Sequence, residues 1–346
     1  MRQFVLDDDN LYGDNRLTDR QTDRQTDRPQ TLSEKIEESR QALRLAAEMS
    51  REYYGAPLIV TYSGGKDSDV MLHLAETTLR PDEFEVFNSH TTVDAPETVY
   101  HIRKTFERLK RHGIKTTIDY HIKDGKPVTM WNLIPRKLMP PTRIVRYCCV
   151  VLKESGTPNR IASLGVREEE SQKRQGRDLF AVRGGTYREA KFFSLDHAQE
   201  VYKESQEIND DAWDCQMITT MKAKGTTSLN AIYHWTKEDV WNYIRQEGIE
   251  TNPLYSCGYD RVGCIGCPLA TYRQRQRQFS DFPKYRQAYT RAFENMLKER
   301  QKRGLDFKWN TGKEVFECWV EEYKHNVKGQ ITIEEYMKGE SNDTDQ

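Results

Sequence analysis

The stretch Leu58-Ile59-Val60-Thr61-Tyr62-Ser63-Gly64-Gly65-Lys66-Asp67-Ser68 decides the fold. Its opening is short, rich in β-formers and continuously apolar through Val60, the pattern of a strand covered on both faces in a parallel sheet. Two glycines then supply a tight turn, and Val70, Met71, Leu74 and Ala75 follow at helical spacing. A strand, a glycine turn and a helix in direct succession predict the start of a βαβ unit.

Reading outward extends the alternation. Upstream, Thr31-x-x-Glu34 has the form of a capping box ahead of Ile36, Leu43, Ala46, Ala47 and Met49. Downstream, residues 84–88, 116–122 and 161–166 read as strands and residues 97–112 as a helix. Repeated β-then-α order predicts an α/β protein: a three-layer α/β/α domain with a mostly parallel, doubly wound sheet. Residues 175–235 show no clear period and are taken as a candidate insertion. Thr236-x-x-Asp239 caps a further helix that Pro253 closes off. Tyr285, Ala288, Tyr289, Ala292, Phe293, Met296 and Leu297 then form an amphipathic helical stripe bounded by Pro283 and Gly304. The expected domains are a low-complexity tail over 1–30, the α/β domain over 31–255, and a cysteine-containing, helical C-terminal region over 256–346. Within the tail, Thr18-Asp19-Arg20-Gln21 repeats twice more almost without apolar residues, so disorder is expected there.

Composition narrows the function classes. At 346 residues the chain can bury a sizeable core, and 53 Lys+Arg against 54 Asp+Glu argues against a uniformly basic nucleic-acid coat. Local patches differ from that balance: residues 101–153 hold 13 basic against 3 acidic residues, and residues 271–303 hold 10 against 3. Such segments can bind DNA or RNA phosphates, although solvated helix faces have the same composition. No apolar run approaches the ~20 residues of a membrane span. The acidic start, Met1 to Asn10, does not resemble a secretory signal. A cytoplasmic protein without a membrane partner is expected.

Seven cysteines, unevenly grouped, point in a reducing compartment to metal or redox chemistry rather than to a disulfide framework. Cys257-x6-Cys264-x2-Cys267-Pro268 contains a Cys-x-x-Cys that can place two thiolates on one metal, with Gly263 and Gly266 allowing a tight knuckle. Three cysteines are one short of a tetrahedral set, and Cys148-Cys149 is the evident source of the remainder. Five thiols thus compete for four places. Zinc suits four thiolates as well as iron does. Cys215 and Cys318 stand alone and read as small packing residues.

The 63–68 turn has the makings of a phosphate site. Gly64 and Gly65 let the backbone approach an anion, the helix start presents N–H groups and a positive dipole end, and Lys66, Ser63 and Ser68 add a charge and hydroxyls. It is not a Walker A loop, because Val60 stands where the first glycine is needed. Arg167, just past Gly165, can reach the same sheet edge and clamp phosphate oxygens, or pair with the neighbouring Glu168 to Glu170. Asp94 can position substrate or Mg²⁺, or cap the 97–112 helix.

Here the sequence resembles a known family. Ser63-Gly64-Gly65-Lys66-Asp67-Ser68 looks like the pyrophosphate loop of the PP-loop superfamily and, within it, of the phosphoadenosine phosphosulfate (PAPS) reductase family. Four further stretches agree in order: Thr92 to Thr98, the Gly165-x-Arg167-x-x-x-Ser171 segment, Trp235 to Ile244, and Asn252-Pro253-Leu254-Tyr255. Together they span roughly residues 57 to 270. The resemblance implies a nucleotide site formed by Ser63, Gly64, Gly65, Lys66, Asp67, Ser68, Asp94, Gly165, Arg167 and Ser171, with Lys66, Asp67 and Arg167 acting in catalysis. It also implies that a tandem Cys-Cys and a later Cys-x-x-Cys hold a 4Fe-4S cluster. Cys149, Cys257, Cys264 and Cys267 are taken as ligands, with Cys148 in reserve.

Reductases of this family carry a Glu-Cys-Gly-type tail and typically lack the full Gly-Gly-Lys-Asp-Ser, whereas this chain has Glu317-Cys318-Trp319 and keeps the loop. The leading expectation is therefore an enzyme that binds ATP with Mg²⁺, cleaves it between the α and β phosphates and uses the cluster for sulfur transfer, with DNA or RNA as candidate substrate and a sulfur-donor protein as candidate partner. The alternatives are a sulfonucleotide reductase that releases sulfite from PAPS through a thiol such as Cys318, and a non-catalytic nucleotide- or nucleic-acid-binding subunit.

Overall fold

The computed structural model describes residues 28–153, 157, 160–184, 187–207, 217, 221, 225–306 and 308–321. The repeat of the N-terminal tail and Cys215 lie outside them. Residues Leu32–Gln346 form one compact unit.

Helix α1 (Leu32–Tyr54) leads to β1 (Leu58–Thr61), α2 (Lys66–Thr78), β2 (Phe84–Ser89), α3 (Pro96–Arg111) and β3 (Lys115–Asp119). Leu58, Ile59 and Val60 are all buried, as a strand covered on both faces requires. The expected strand over 116–122 ends early at Asp119. Ile122–Lys123 (β4) instead pairs antiparallel with Lys126–Pro127 (β5) through Asp124 and Gly125, both at positive φ. An Asp-Gly pair in that conformation makes a two-residue hairpin turn, which diverts the chain from the sheet. Two short helices follow, α4 (Met130–Lys137) and α5 (Tyr147–Leu152), before β6 (Ile161–Ser163).

Residues 175–235 are not an insertion lying outside the sheet. They contribute β7 (Phe180–Gly184), β8 (Tyr187–Phe193), α6 (Leu195–Glu207) and β9 (Thr226–Leu229), and β9 pairs parallel with β6 in the body of the sheet. The seven strands are ordered β3-β2-β1-β6-β9-β7-β8. The first five run parallel, while β7 is antiparallel to both neighbours. Because the chain builds β1 to β3 in one direction and then returns to place β6 on the other side of β1, the topological switch point lies between β1 and β6. Open α/β sheets bind ligands at the strand ends beside such a point.

The remaining helices are α7 (Lys237–Glu247), α8 (Tyr272–Asp281), α9 (Pro283–Lys302) and α10 (Gly312–Glu321). The Thr236 hydroxyl accepts from Asp239 N–H while Asp239 accepts from Thr236 N–H, the reciprocal cap expected from the sequence. Apolar side chains fall into two clusters. One lies against the sheet. The other joins Phe279, Tyr289, Phe293, Phe316 and Trp319 of the C-terminal helices to Val93, Met130, Ile134 and Tyr147. The C-terminal helices therefore share their core with residues 93–152. Among the described residues, no helix is long and apolar enough to cross a membrane.

Candidate functional site

At the switch point, β1 runs out through Tyr62 and Ser63, and α2 begins at Lys66. Gly64 has φ +71°, and a Cβ on it would stand 2.9 Å from Ile102 Cγ1 and 3.2 Å from Thr98 Cγ2, so glycine is required for both conformation and space. The Ser68 hydroxyl gathers the turn. It accepts from the N–H groups of Gly65 (3.1 Å) and Ser63 (3.3 Å) and donates to the Gly65 carbonyl (2.7 Å). Two distant residues complete the support: Asn252 Nδ2 donates to the Gly64 carbonyl and to Thr98 Oγ1, each at 3.0 Å, and the Tyr255 hydroxyl accepts from Lys66 N–H at 2.9 Å. Burial raises the Tyr255 phenol above its ordinary range, so it remains a proton donor at neutral pH. Sequence reasoning noted the Asn252-to-Tyr255 turn without assigning either residue to the loop.

Charge at the site converges on Asp67. Lys66 Nζ lies 2.8 Å from one carboxylate oxygen and Arg167 Nε 2.6 Å from the other. Arg167 also donates to Glu169 at 2.9 Å. Lys66 and Arg167 are only 5% and 4% exposed, so both cations are held in place rather than waving in solvent. The two readings of Arg167 thus hold together, since it reaches the loop edge and pairs with an acidic neighbour. Gly165 explains how the approach is possible: a Cβ there would lie 3.2 Å from the Asp67 carbonyl carbon and the Ser68 nitrogen. Ser171 is exposed at the end of the short turn Glu168–Glu170, where its N–H donates to the Glu168 carbonyl.

Beneath the loop lies a buried polar triad that the sequence reading missed. Tyr62 donates its hydroxyl to Asp69 Oδ1 at 2.6 Å, and His101 Nε2 sits 3.0 Å from the same oxygen and 2.8 Å from the Tyr62 oxygen. All three are at most 4% exposed, and Asp69 Oδ2 has no hydrogen-bond partner among the described residues. Burial, opposed by His101 and Tyr62, raises the Asp69 carboxyl above its ordinary range. A signal existed in the spacing, since Asp69 follows Ser68 on a face otherwise occupied by Val70-type core positions. Only the fold, however, brings His101 to it.

Asp94 does not cap α3; Ala95 occupies that position, with Pro96 as the first helical residue. The Asp94 carboxylate instead accepts from Thr91 N–H at 3.0 Å and stands 3.9 Å from Cys264 Sγ, which also lies 3.5 Å from the Thr91 hydroxyl. The aspartate is therefore turned toward the cysteines. Burial pushes the Cys264 thiol up to about 11, with Lys153 opposing it. The Cys148 thiol is raised first by its hydrogen bond with Cys149, then by burial and by the charges of Cys149, Cys264 and Cys267. Lys153 is raised in turn by Cys264, Asp94, Cys149 and Cys267. Four thiols, Cys148, Cys149, Cys264 and Cys267, therefore share one electrostatic neighbourhood. Cys257 is exposed, unlike these four half-buried thiols.

The Cys264–Cys267 knuckle is held from below. Ile265 N–H donates to the Val93 carbonyl at 2.8 Å, Tyr289 donates to the Ile265 carbonyl at 2.9 Å, and Gly266 N–H donates to Gln278. Among the described residues, no three His, Cys, Asp or Glu side chains close on a single point as a metal cage. The donor set itself, four cysteines within one another's field, is of the type that holds an iron–sulfur cluster or zinc. Cys318 is half-buried on α10.

Comparison with known proteins bears on the family to which the chain belongs. Over 264 residues, the chain is 26% identical to an uncharacterised protein of Methanocaldococcus jannaschii, covering 73% of this chain and 44% of that one, so it spans less than half of that relative. It is 22% identical over 225 residues to an adenosine 5'-phosphosulfate reductase of Anoxybacillus flavithermus, covering 64% of this chain and 77% of the relative. A crystal structure of phosphoadenylyl-sulfate reductase from Candida auris aligns with 68% of this chain and 97% of its own at 14% identity, with a TM-score of 0.36, too low to add weight. The sequence model of the phosphoadenosine phosphosulfate reductase domain matches residues 57–270, more than half of the chain. With the glycine loop at the switch point and Arg167 delivered to it from the next strand, the chain belongs to the phosphoadenosine phosphosulfate reductase domain family.

Proposed function

We propose that this protein binds ATP at the 63–68 loop and cleaves it between the α and β phosphates, transferring the adenylyl group to a substrate oxygen and releasing pyrophosphate. The observation that carries this reading is the meeting of Lys66 and Arg167 on Asp67 at the sheet edge between β1 and β6. Two buried cations fixed on one carboxylate are ready to exchange it for phosphate oxygens. On nucleotide binding, the ammonium and guanidinium turn from Asp67 to the β and γ phosphates, and the freed carboxylate would be able to hold Mg²⁺, which would neutralise phosphate charge. The substrate oxygen then forms its bond to the α phosphorus as the α–β bridging bond breaks. The negative charge that grows on the departing pyrophosphate is met by Lys66, Arg167 and the first-turn N–H groups of α2, preorganised in a site with little water. Tyr255, accepting from Lys66 N–H, keeps its own proton to donate to the same oxygens.

Cys148, Cys149, Cys264 and Cys267 would hold a 4Fe-4S cluster or zinc; a bound cluster would supply a place to carry sulfur. Their role here is limited to holding that group, with Asp94 and Lys153 setting the charge around it. The second reading, a reductase acting on a sulfonucleotide, is favoured by the relatives named adenosine 5'-phosphosulfate reductase. Incubation of the protein with Mg-ATP and with PAPS plus thioredoxin separates the two. Pyrophosphate released from ATP, and lost in Lys66→Ala, supports adenylyl transfer. Sulfite released from PAPS, with no pyrophosphate from ATP, overturns it.

A further inference from the structure

A second cationic feature lies away from the loop, where α4 meets the C-terminal half of α9. A cavity of about 560 Å³ opens there, with Trp131 and Arg136 on one wall and Lys298, Glu299, Lys302 and Arg303 on the other. Four cations face one carboxylate. Lys302 is bonded to that carboxylate, Glu299, at 2.7 Å, and the charge of Arg303 also acts on it, whereas Arg136 and Lys298 are exposed and have no ion-pair partner among the described residues. Four cations against one carboxylate leave an excess of positive charge around one concavity, which is unfavourable to the folded chain by itself because like charges repel. A polyanion would relieve that repulsion.

The shape and chemistry narrow the class of polyanion. Lys298 and Lys302 stand one turn apart on α9, about 6 Å along the axis, and Arg136 approaches from the other helix. Cations on both walls suit a phosphate backbone running along the groove better than a single terminal phosphate. Trp131 adds an indole to the lining and packs edge-on against Tyr289 with ring centres 5.2 Å apart. A positively charged groove with an aromatic platform is the arrangement by which proteins hold single-stranded nucleic acid, stacking a base while neutralising phosphates. Tyr289 in turn donates to the Ile265 carbonyl, so one buried ring links Trp131 to the cysteine knuckle.

We infer that the α4–α9 groove binds a single-stranded nucleic acid, with Arg136, Lys298, Lys302 and Arg303 on its phosphates and Trp131 against a base. The inference does not depend on ATP cleavage at the loop. It extends the proposed function by naming the class of substrate that such an activity would act on.

The test uses the full-length protein and a fluorescein-labelled single-stranded RNA of about 20 nucleotides, with a DNA of the same sequence in parallel, read by anisotropy across a salt series. Binding is expected to weaken with salt with a slope near −0.7 per phosphate contact, and thus about −2 to −3 for three or four contacts. Lys298→Ala combined with Arg303→Ala should lower affinity by roughly tenfold or more and flatten that slope by about one and a half, while Mg-ATP binding stays unchanged. Trp131→Leu should weaken binding by roughly five- to a hundredfold at every salt concentration without changing the slope, since stacking is not ionic. Lys66→Ala should leave nucleic-acid binding intact, so failure at the loop and failure at the groove are read separately. Equal affinity in the Lys298/Arg303 variant would overturn the inference. So would displacement of the strand by inorganic polyphosphate or by a mononucleotide at the same concentration, because the groove would then be recognising charge alone or a single nucleotide.

Discussion

The 63–68 loop and the cysteine knuckle rest on the same backbone device, a glycine at positive φ, but differ in what packs around it. Gly64 has φ +71° and Gly266 φ +72°, and neither has room for a side chain. Around Gly64 the support is polar: Ser68, Asn252 and Tyr255 bond the turn's own main chain. Around Gly266, hydrogen bonds to Gln278, Val93 and Tyr289 are joined by packed rings, a Cβ there being set to meet Phe279 at 2.7 Å, Trp319 at 3.1 Å and Tyr289 at 3.2 Å. Hydrogen-bonded loops can rearrange one bond at a time as a ligand arrives. A knuckle clamped by packed rings is fixed by density and moves only if the core moves.

The largest effect expected from this contrast is at Trp319, which is fully buried, donates to the Pro141 carbonyl at 2.7 Å and carries the Arg275 guanidinium 4.0 Å above its ring. Trp319→Ala should cost about 3–5 kcal/mol of stability. Thermal or urea unfolding checks it, and loss of any bound iron or zinc should accompany the change.

Next comes the direct comparison of the two glycines. Gly266→Ala should destabilise by about 2–4 kcal/mol, summing left-handed strain and overpacking against rings that cannot yield. Gly64→Ala should cost about 1–2 kcal/mol, because the obstructing atom belongs to one Ile102 side chain, yet it should weaken ATP binding more than Gly266→Ala does. Calorimetry of ATP binding beside unfolding curves measures both. If Gly64→Ala proves the more destabilising of the two, the contrast between polar and aromatic support fails.

A smaller effect tests the polar support beneath the loop. The Asp69 carboxyl is raised by burial, so the native state holds its proton more tightly than the unfolded chain does. For this group, the added stability is fully present below the ordinary carboxylate range and is lost as pH rises through the raised value. Asp69→Asn removes that dependence while keeping a partner for Tyr62. The stability of the variant relative to wild type should therefore be highest near pH 7–8 and should shrink on acidification toward the ordinary carboxylate range around pH 4. Melting temperatures across pH decide this; a gap that widens toward acid would contradict the assignment.

The smallest effect is expected at Cys318. Half-buried on α10, it should tolerate Cys318→Ala with a change of less than about 1 kcal/mol and with pyrophosphate release from ATP nearly intact. If sulfite release from PAPS is instead found and depends on Cys318, the helix position hides a nucleophile and the reductase reading takes over.

What the amino-acid sequence determined by itself was local. The β1 strand, the glycine turn and the start of α2 are contiguous, and each is dictated by the residues that form it: apolar continuity, positive φ, helical spacing. The Thr236 cap and the α9 stripe were legible for the same reason. Three things were decided only by tertiary structure, and each joins residues far apart in the chain. Tyr255 and Asn252 reach the loop from nearly 190 positions away. Asp94 was drawn to Cys264 instead of capping its own helix. Of the five thiols, Cys148, Cys149, Cys264 and Cys267 are half-buried while Cys257 is exposed, a difference that spacing does not show. Spacing can show that a cysteine is able to bind a metal. Which cysteines meet depends on the packing of Phe279, Tyr289 and Trp319 under Gly266, and packing is a property of volumes in space that no run of neighbouring residues encodes.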